Sequence, residues 1–287
     1  MIVWLASYPK SGNTLVRSIL SSYFYTKDGN FNFDNLEFIP QFPIHKQFKK
    51  FNINLDDINE VSKYWIKAQV ELNKGQNKKI VFLKTHNICC NYKGSSFTDL
   101  NNTLGVIYIV RDPRNLVTSY ANHFSDDLLG AYNSIIDDRV VLNGVDGKRA
   151  VPTMTGSWKT HYNYWKELFK DRILILRYED LTKNKKNQII KIFNFLENLT
   201  KGKFKINYEK LDKIFENTSF ENMKKLEKKH GFAESPFLKK TSKPFFYMGE
   251  MNDWKKILDY KMKKNIEKIF KDEMKELNYI WLQNKFW

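Results

Sequence analysis

Four short apolar runs stand out along the chain, at residues 2–6, 80–83, 105–110 and 173–176. None alternates with polar residues, and none is long enough for a helix. Each therefore predicts a strand buried on both faces, the kind found in parallel sheets. Every run leads into a polar turn, and the first, third and fourth turns open onto helical patterning. Leu15, Ile19, Leu20 and Tyr23 recur at three-to-four-residue spacing, as do Ile189, Ile192, Phe193 and Leu196. Strands alternating with helices predict an α/β fold, a doubly wound parallel sheet with flanking helices. Ligands of such sheets sit outside the carboxyl ends of the strands, so the turns after the four runs are where chemistry is expected.

Two stretches break the alternation. Residues 26–55 are rich in Phe, Asn and Pro, and residues 124–156 carry Gly144, Gly147 and Pro152. Long irregular insertions of this kind form lids and acceptor-binding walls, or plain surface loops. From Asp253 onward Ile257, Tyr260, Ile266, Ile269, Phe270, Met274 and Leu277 recur among Lys and Glu, which predicts an amphipathic helix covering the core. There is no internal repeat and no low-complexity linker, so the expectation is one domain over residues 1–287.

Composition narrows the classes. The chain has 287 residues, 42% of them hydrophobic, with a formal charge of +16. Such a charge suits nucleic acid, an acidic membrane face or an anionic small molecule. No nucleic-acid-binding signature accompanies it, and all but seven of the 48 basic residues are lysine, a bias that fills solvated faces. No nucleic-acid partner is expected. No run of about 18 apolar residues and no leader-like start is present, so the protein is expected to be cytoplasmic and free of membrane. The only cysteines, Cys89 and Cys90, are adjacent. They cannot staple distant segments or alone build a tetrahedral zinc site, and no metal is expected.

The first turn carries the most chemistry. Residues 7–14 read Ser-Tyr-Pro-Lys-Ser-Gly-Asn-Thr between a buried strand and a helix start. Such an arrangement cradles phosphate, because the first helical N–H groups lack internal partners and the helix dipole is positive there. Gly12 lets the backbone come close, Lys10 adds a full charge, and Asn13 or Thr14 is expected to cap the helix. The loop resembles the P-loop of nucleotide triphosphatases, and the fold is expected to be P-loop NTPase-like. It breaks that rule in one respect: Lys10 precedes Gly12 instead of following it.

Residues 7–14 resemble the 5'-phosphosulfate loop of the PAPS-dependent sulfotransferase family, and further segments match that family in order. Phe82-Leu83-Lys84-Thr85-His86 delivers Lys84 and His86 to a strand end. The resemblance makes His86 the base that takes the acceptor's proton, a task suited to an imidazole with an ordinary pKa near 6.5. Residues 106–120 resemble the motif that clamps the nucleotide's 3'-phosphate, with Arg111 at the strand end and Ser119 on the next helix. The planar fork of Arg suits phosphate oxygens. Gly156-Ser157-Trp158 and then Arg177-Tyr178-Glu179-Asp180 follow, with Tyr178 matching an adenine contact. Residues 217–223 add Thr218 and Phe220 as adenine-site matches.

The chain also departs from the family. Leu15 stands where an aromatic Trp usually stacks on adenine. Tyr247-Met248-Gly249 replaces the usual Arg-Lys-Gly, so only Gly249 is carried over, and Arg114, Lys243 or another lysine must replace the missing cations or nucleotide affinity falls.

The resemblance implies transfer of a sulfuryl group from PAPS to a hydroxyl or amine of a small-molecule acceptor, leaving PAP. Lys10, Ser11, Gly12, Asn13, Thr14 and Leu15 form the nucleotide loop, and Lys10 and Lys84 assist His86. A P-loop small-molecule kinase, with Asp112 holding magnesium, is the leading alternative. An idle PAP-binding or nucleic-acid-binding module is another. The acceptor is not legible, and a homo-oligomer is compatible with the sequence.

Overall fold

The computed structural model describes the chain apart from residues 75–79, 125–126, 143–150, 203–204, 233, 235–243, 250–251 and 281–287. Eight strands occur in the described part: β1 Ile2–Ser7, β2 Val81–Thr85, β3 Asn91–Tyr92, β4 Ser95–Ser96, β5 Thr103–Val110, β6 Val141–Leu142, β7 Thr153–Met154 and β8 Ile173–Arg177. The four apolar runs of the sequence are β1, β2, β5 and β8. They make one sheet in the order β2-β1-β5-β8, parallel throughout. The remaining strands pair as two short antiparallel ribbons.

The continuous apolar character of β1 has a direct cause, since successive side chains enter two different cores. Ile2, Trp4 and Ala6 face one cluster with Leu116, Tyr120, Trp158, Tyr162 and Trp165. Val3 and Leu5 face the other, with Val16, Ile19 and Leu20 of helix Asn13–Tyr25 and Ile189, Ile192 and Phe193 of helix Lys185–Leu199. Helices thus cover both faces. Because β2 and β5 lie on opposite sides of β1, connections leave in opposite directions there, which opens a crevice at the carboxyl end of the sheet.

The described residues of the irregular stretches contribute little regular structure. The first holds a 3₁₀ turn at Phe33–Phe38 and one helical turn at His45–Phe48, and the second holds helix Leu128–Ile136 and β6 and β7. Phe42 is fully buried in the main core, whereas Phe31 joins a separate cluster with Met223 and Phe246, on which Phe33 packs.

The tail differs from the single helix its periodicity predicts. It forms three pieces, Trp254–Ile257, Tyr260–Ile269 and Lys271–Glu276. The first break falls at Asp259, whose side chain accepts the Met262 N–H at 2.7 Å and so restarts a helix instead of extending one, and the second falls at Phe270, where the backbone leaves helical values. Ile266, Phe270, Met274 and Leu277 still reach the core, while Tyr260 stays 74% exposed. No helix among the described residues is long and apolar enough to cross a membrane.

Candidate active site

Each of the four parallel strands delivers a polar side chain at its carboxyl end. Lys10 follows β1, His86 follows β2, Arg111 follows β5 and Tyr178 follows β8. All four line one cavity of ≈ 2530 Å³. Pockets for a single small ligand measure roughly 300–1,000 Å³, so this crevice has room for two reactants. Gly12, Asn13, Thr14, Leu15, Lys84, Ser119, Thr218, Phe220 and Gly249 line it as well. Ser11 does not; it lies fully buried just behind.

The loop between β1 and its helix makes its turn through two left-handed residues, Lys10 at φ 66° and Gly12 at φ 98°. Gly12 is also fixed by packing: a Cβ there would lie 2.3 Å from the ring of Tyr178. The capping expected of Asn13 is not found. Its amide turns back to donate to the Leu5 carbonyl at 2.8 Å and to Ser7 Oγ at 3.2 Å, and Gly12 stands at the N-cap without a side-chain bond. The first-turn amides therefore lack a side-chain acceptor from the cap, which leaves them available to an anion. Beside them Ser11 Oγ is buried without a hydrogen-bond partner among the described residues, and so is Arg111 Nε. Two unspent buried donors around a glycine turn fit a phosphate-bearing group.

Arg111 ties this loop to the next strand. Its Nη1 donates to the Lys10 carbonyl at 3.0 Å and its guanidinium lies 4.5 Å from the Tyr178 ring centre. Trp158 of the Gly156-Ser157-Trp158 motif explains its own presence: its indole N–H donates to the Arg111 carbonyl at 3.1 Å, while Ser157 caps the helix by accepting the Thr160 N–H. Arg114 does not supply a missing phosphate cation. It spends its donors on Asp112, Glu267 and the Tyr279 carbonyl and stacks on Trp254. The same pairing turns Asp112 away from the crevice and removes the carboxylate that a kinase would need there. Lys243 lies outside the described residues. At the far end Thr218 donates its hydroxyl to the Ile214 carbonyl at 2.7 Å, and Gly249 sits so close to Phe220 that a Cβ would meet the ring at 2.7 Å.

His86 has a defined tautomer. Its Nδ1 lies 2.8 Å from the Ser7 carbonyl, which can only accept, so Nδ1 carries the hydrogen and Nε2 keeps a lone pair. Burial, and then the nearby Lys84 ammonium, hold the ring well below its ordinary value of 6.5. The imidazole is neutral and ready to accept a proton. His161, fully buried, sets this strand end from behind: its Nε2 meets the His86 carbonyl at 3.2 Å and its Nδ1 meets Tyr108 Oη at 2.8 Å.

Lys10 lies under a cover. Its Nζ sits 3.7 Å from the Phe245 ring centre and 3.4 Å from Nδ1 of His123. Burial, followed by Arg111 and Lys84, brings its pKa down to about 7. Lys84, 6% exposed, meets the Glu234 carboxylate at 3.0 Å, and Arg17 shares that carboxylate. Arg17, His123, His161, Glu234 and Phe245 have no motif of their own in the sequence. Only Arg17, the single charged residue of helix Asn13–Tyr25, carried any hint of its own.

Comparison with known proteins agrees with this geometry. The family model described as a sulfotransferase domain matches residues 2–278. The amine sulfotransferase of the rabbit, Oryctolagus cuniculus, is 26% identical over 97% of this chain and 83% of its own length. Human sulfotransferase 1E1 is 27% identical over 95% and 83%. Among solved structures, mouse sulfotransferase SULT7A1 complexed with PAP superposes with a TM-score of 0.58 at 19% identity, covering 96% of this chain and 86% of that one. Retinol dehydratase in a complex with retinol and PAP gives 0.60 at 20% identity, over 96% and 81%. With a glycine turn, a neutral histidine and an arginine at successive strand ends, and the family model spanning nearly its full length, the chain belongs to the sulfotransferase family and is an enzyme of sulfuryl transfer.

Proposed function

We propose that the chain, acting as one soluble cytoplasmic domain, moves the sulfuryl group of PAPS to a hydroxyl or amine of a small-molecule acceptor. The observation that carries this reading is the pairing of two sites in one crevice, the amide-rich turn at Gly12 with Arg111 beside it, and His86 with its Nε2 lone pair. PAPS supplies an activated sulfuryl group and a leaving bisphosphate. Ser11, the amides after Gly12 and Lys10 hold its 5' end, and Arg111 with Ser119 holds its 3'-phosphate. Tyr178, Leu15, Thr218 and Phe220 wall the adenine. His86 Nε2 removes the acceptor's proton as the acceptor attacks, and Nδ1–H bonded to Ser7 steadies the imidazolium that results. Lys10 and Lys84 stabilise negative charge on the leaving oxygen and the group in flight. Incubation with radiolabelled PAPS and a panel of phenols, alcohols, sugars and amines is expected to yield labelled acceptor and PAP. Label transfer from ATP instead of PAPS would overturn the reading in favour of a kinase.

Lys10 gives this nucleotide site a pH signature. Its ammonium, lowered to about 7 in the ligand-free protein, is favoured again when a polyanion settles beside it. Binding PAP therefore takes up a proton above pH 7, and affinity falls as pH rises through the interval from about 7 to 9. Below that interval Lys10 is charged in both states and the slope flattens. Calorimetric titrations across this range should show the decline, and Lys10→Met should abolish it. An undiminished slope in that variant would assign the proton to another group.

A further inference from the structure

Arg17 is a buried cation with its geometry already fixed. Its Nε and Nη2 donate to the carbonyls of Ile39 and Leu36, both at 2.7 Å, and so hold the guanidinium against the irregular stretch that walls the crevice. Its Nη1 meets Glu234. Lys84 reaches the same carboxylate from β2, two residues before His86. Arg17, Lys84, Glu234 and His86 all line the same crevice, and the Lys84 and Glu234 charges both act on the His86 ring. The side chains of Arg17 and Lys84 are 5% and 8% exposed, that of Glu234 33%. Burial opposes the charge of Glu234, yet Lys84 and Arg17 outweigh it and hold the carboxyl well below the usual carboxylate range. Two rigidly placed cations accordingly converge on one oxyanion that the chain itself provides.

That occupant conflicts with turnover. A carboxylate bound to Lys84 would repel the negatively charged group that has to pass between the reactants beside His86, and it would engage the lysine meant to stabilise that group. Removing it without replacement would leave two buried cations uncompensated, which is strongly unfavourable. We propose that Arg17 and Lys84 form an oxyanion-binding subsite beside His86, and that an anionic group carried by a reactant displaces Glu234 from it. The proposal rests on the sulfuryl-transfer reading above. The anion has two sources with the same chemistry, the sulfuryl end of the donor or a carboxylate or similar group on the acceptor.

Glu234→Gln separates these possibilities by equilibrium binding. An internal competitor lowers apparent affinity by the fraction of molecules it occupies, so its removal is expected to tighten the displacing ligand by about tenfold. Wild type and variant are titrated with PAPS, with PAP, and with PAP plus either 3-(4-hydroxyphenyl)propionate or its methyl ester. Tighter PAPS with unchanged PAP identifies the sulfuryl group as the occupant. A gain confined to the propionate, absent for its ester, identifies the acceptor. Arg17→Gln in the Glu234→Gln background should cancel whichever gain is seen, with a melting curve confirming the fold. Equal tightening of PAP and PAPS would reflect only the change in net charge and would overturn the subsite, as would no change at all. Failure of the wild type to bind PAP or PAPS would instead overturn the donor assignment.

Discussion

Replacing His86 by alanine is expected to lower kcat by about 10²- to 10⁴-fold, the usual worth of a general base, while leaving the dissociation constant of PAP at its wild-type value. The separation follows from position. His86 ends β2 on one side of β1, whereas the nucleotide cradle lies after β1 and β5. His86→Asn sharpens the test, because its side-chain amide can still donate to the Ser7 carbonyl as Nδ1 does, yet offers no base. Its kcat should fall as far as that of the alanine variant. Recovery of wild-type turnover in the asparagine variant would mean that the ring serves only to anchor β2 to β1. Since burial and Lys84 hold the imidazole well below 6.5, the ring of the ligand-free protein should stay neutral as pH falls from 8 towards about 6.5, which an NMR titration of its ring protons checks. An ordinary histidine would already be taking up its proton there.

Much of this arrangement was legible in the sequence because it is local. A strand buried on both faces must be apolar at every position, so β1, β2, β5 and β8 announced themselves, and in a parallel sheet the residue after each strand points into the crevice by topology alone. Gly12 was legible for a related reason, since the turn needs a positive φ at a place where Tyr178 leaves no room for a side chain. What escaped depends on partners far away in the chain. Whether Asn13 caps its helix or turns inward is decided by the Leu5 carbonyl and Ser7 Oγ at the end of the neighbouring strand. Arg114 read as a spare phosphate cation until Glu267 and Trp254, more than a hundred residues later, claimed it. His161 and Glu234 were invisible for the same reason, because they act on His86 and Lys84 from distant segments and neither belongs to a local pattern. The first break in the tail comes where Asp259 caps the next helix, a preference that can override hydrophobic periodicity at a single residue.

The missing Arg-Lys pair near the C-terminus makes Arg111 the residue on which nucleotide affinity should depend most. Tyr247 and Met248 line the crevice but bring no charge, and Arg114 is committed elsewhere. Arg111→Met keeps an aliphatic stem over Tyr178 and removes every donor. With about 3 kcal/mol at stake for charge-assisted bonds to a phosphate, PAP should bind about 10²-fold more weakly. Turnover at saturating donor should change far less, because His86 and the group it deprotonates are untouched. Arg111→Lys should fall between, restoring charge without the two-pronged fork. The decisive comparison is adenosine 5'-monophosphate, which lacks the 3'-phosphate. If Arg111 grips that phosphate, the methionine variant binds the monophosphate as well as the wild type does. If Arg111 matters instead through its bond to the Lys10 carbonyl, which shapes the 5' loop, both nucleotides weaken in parallel and the assignment of the 3'-phosphate site fails.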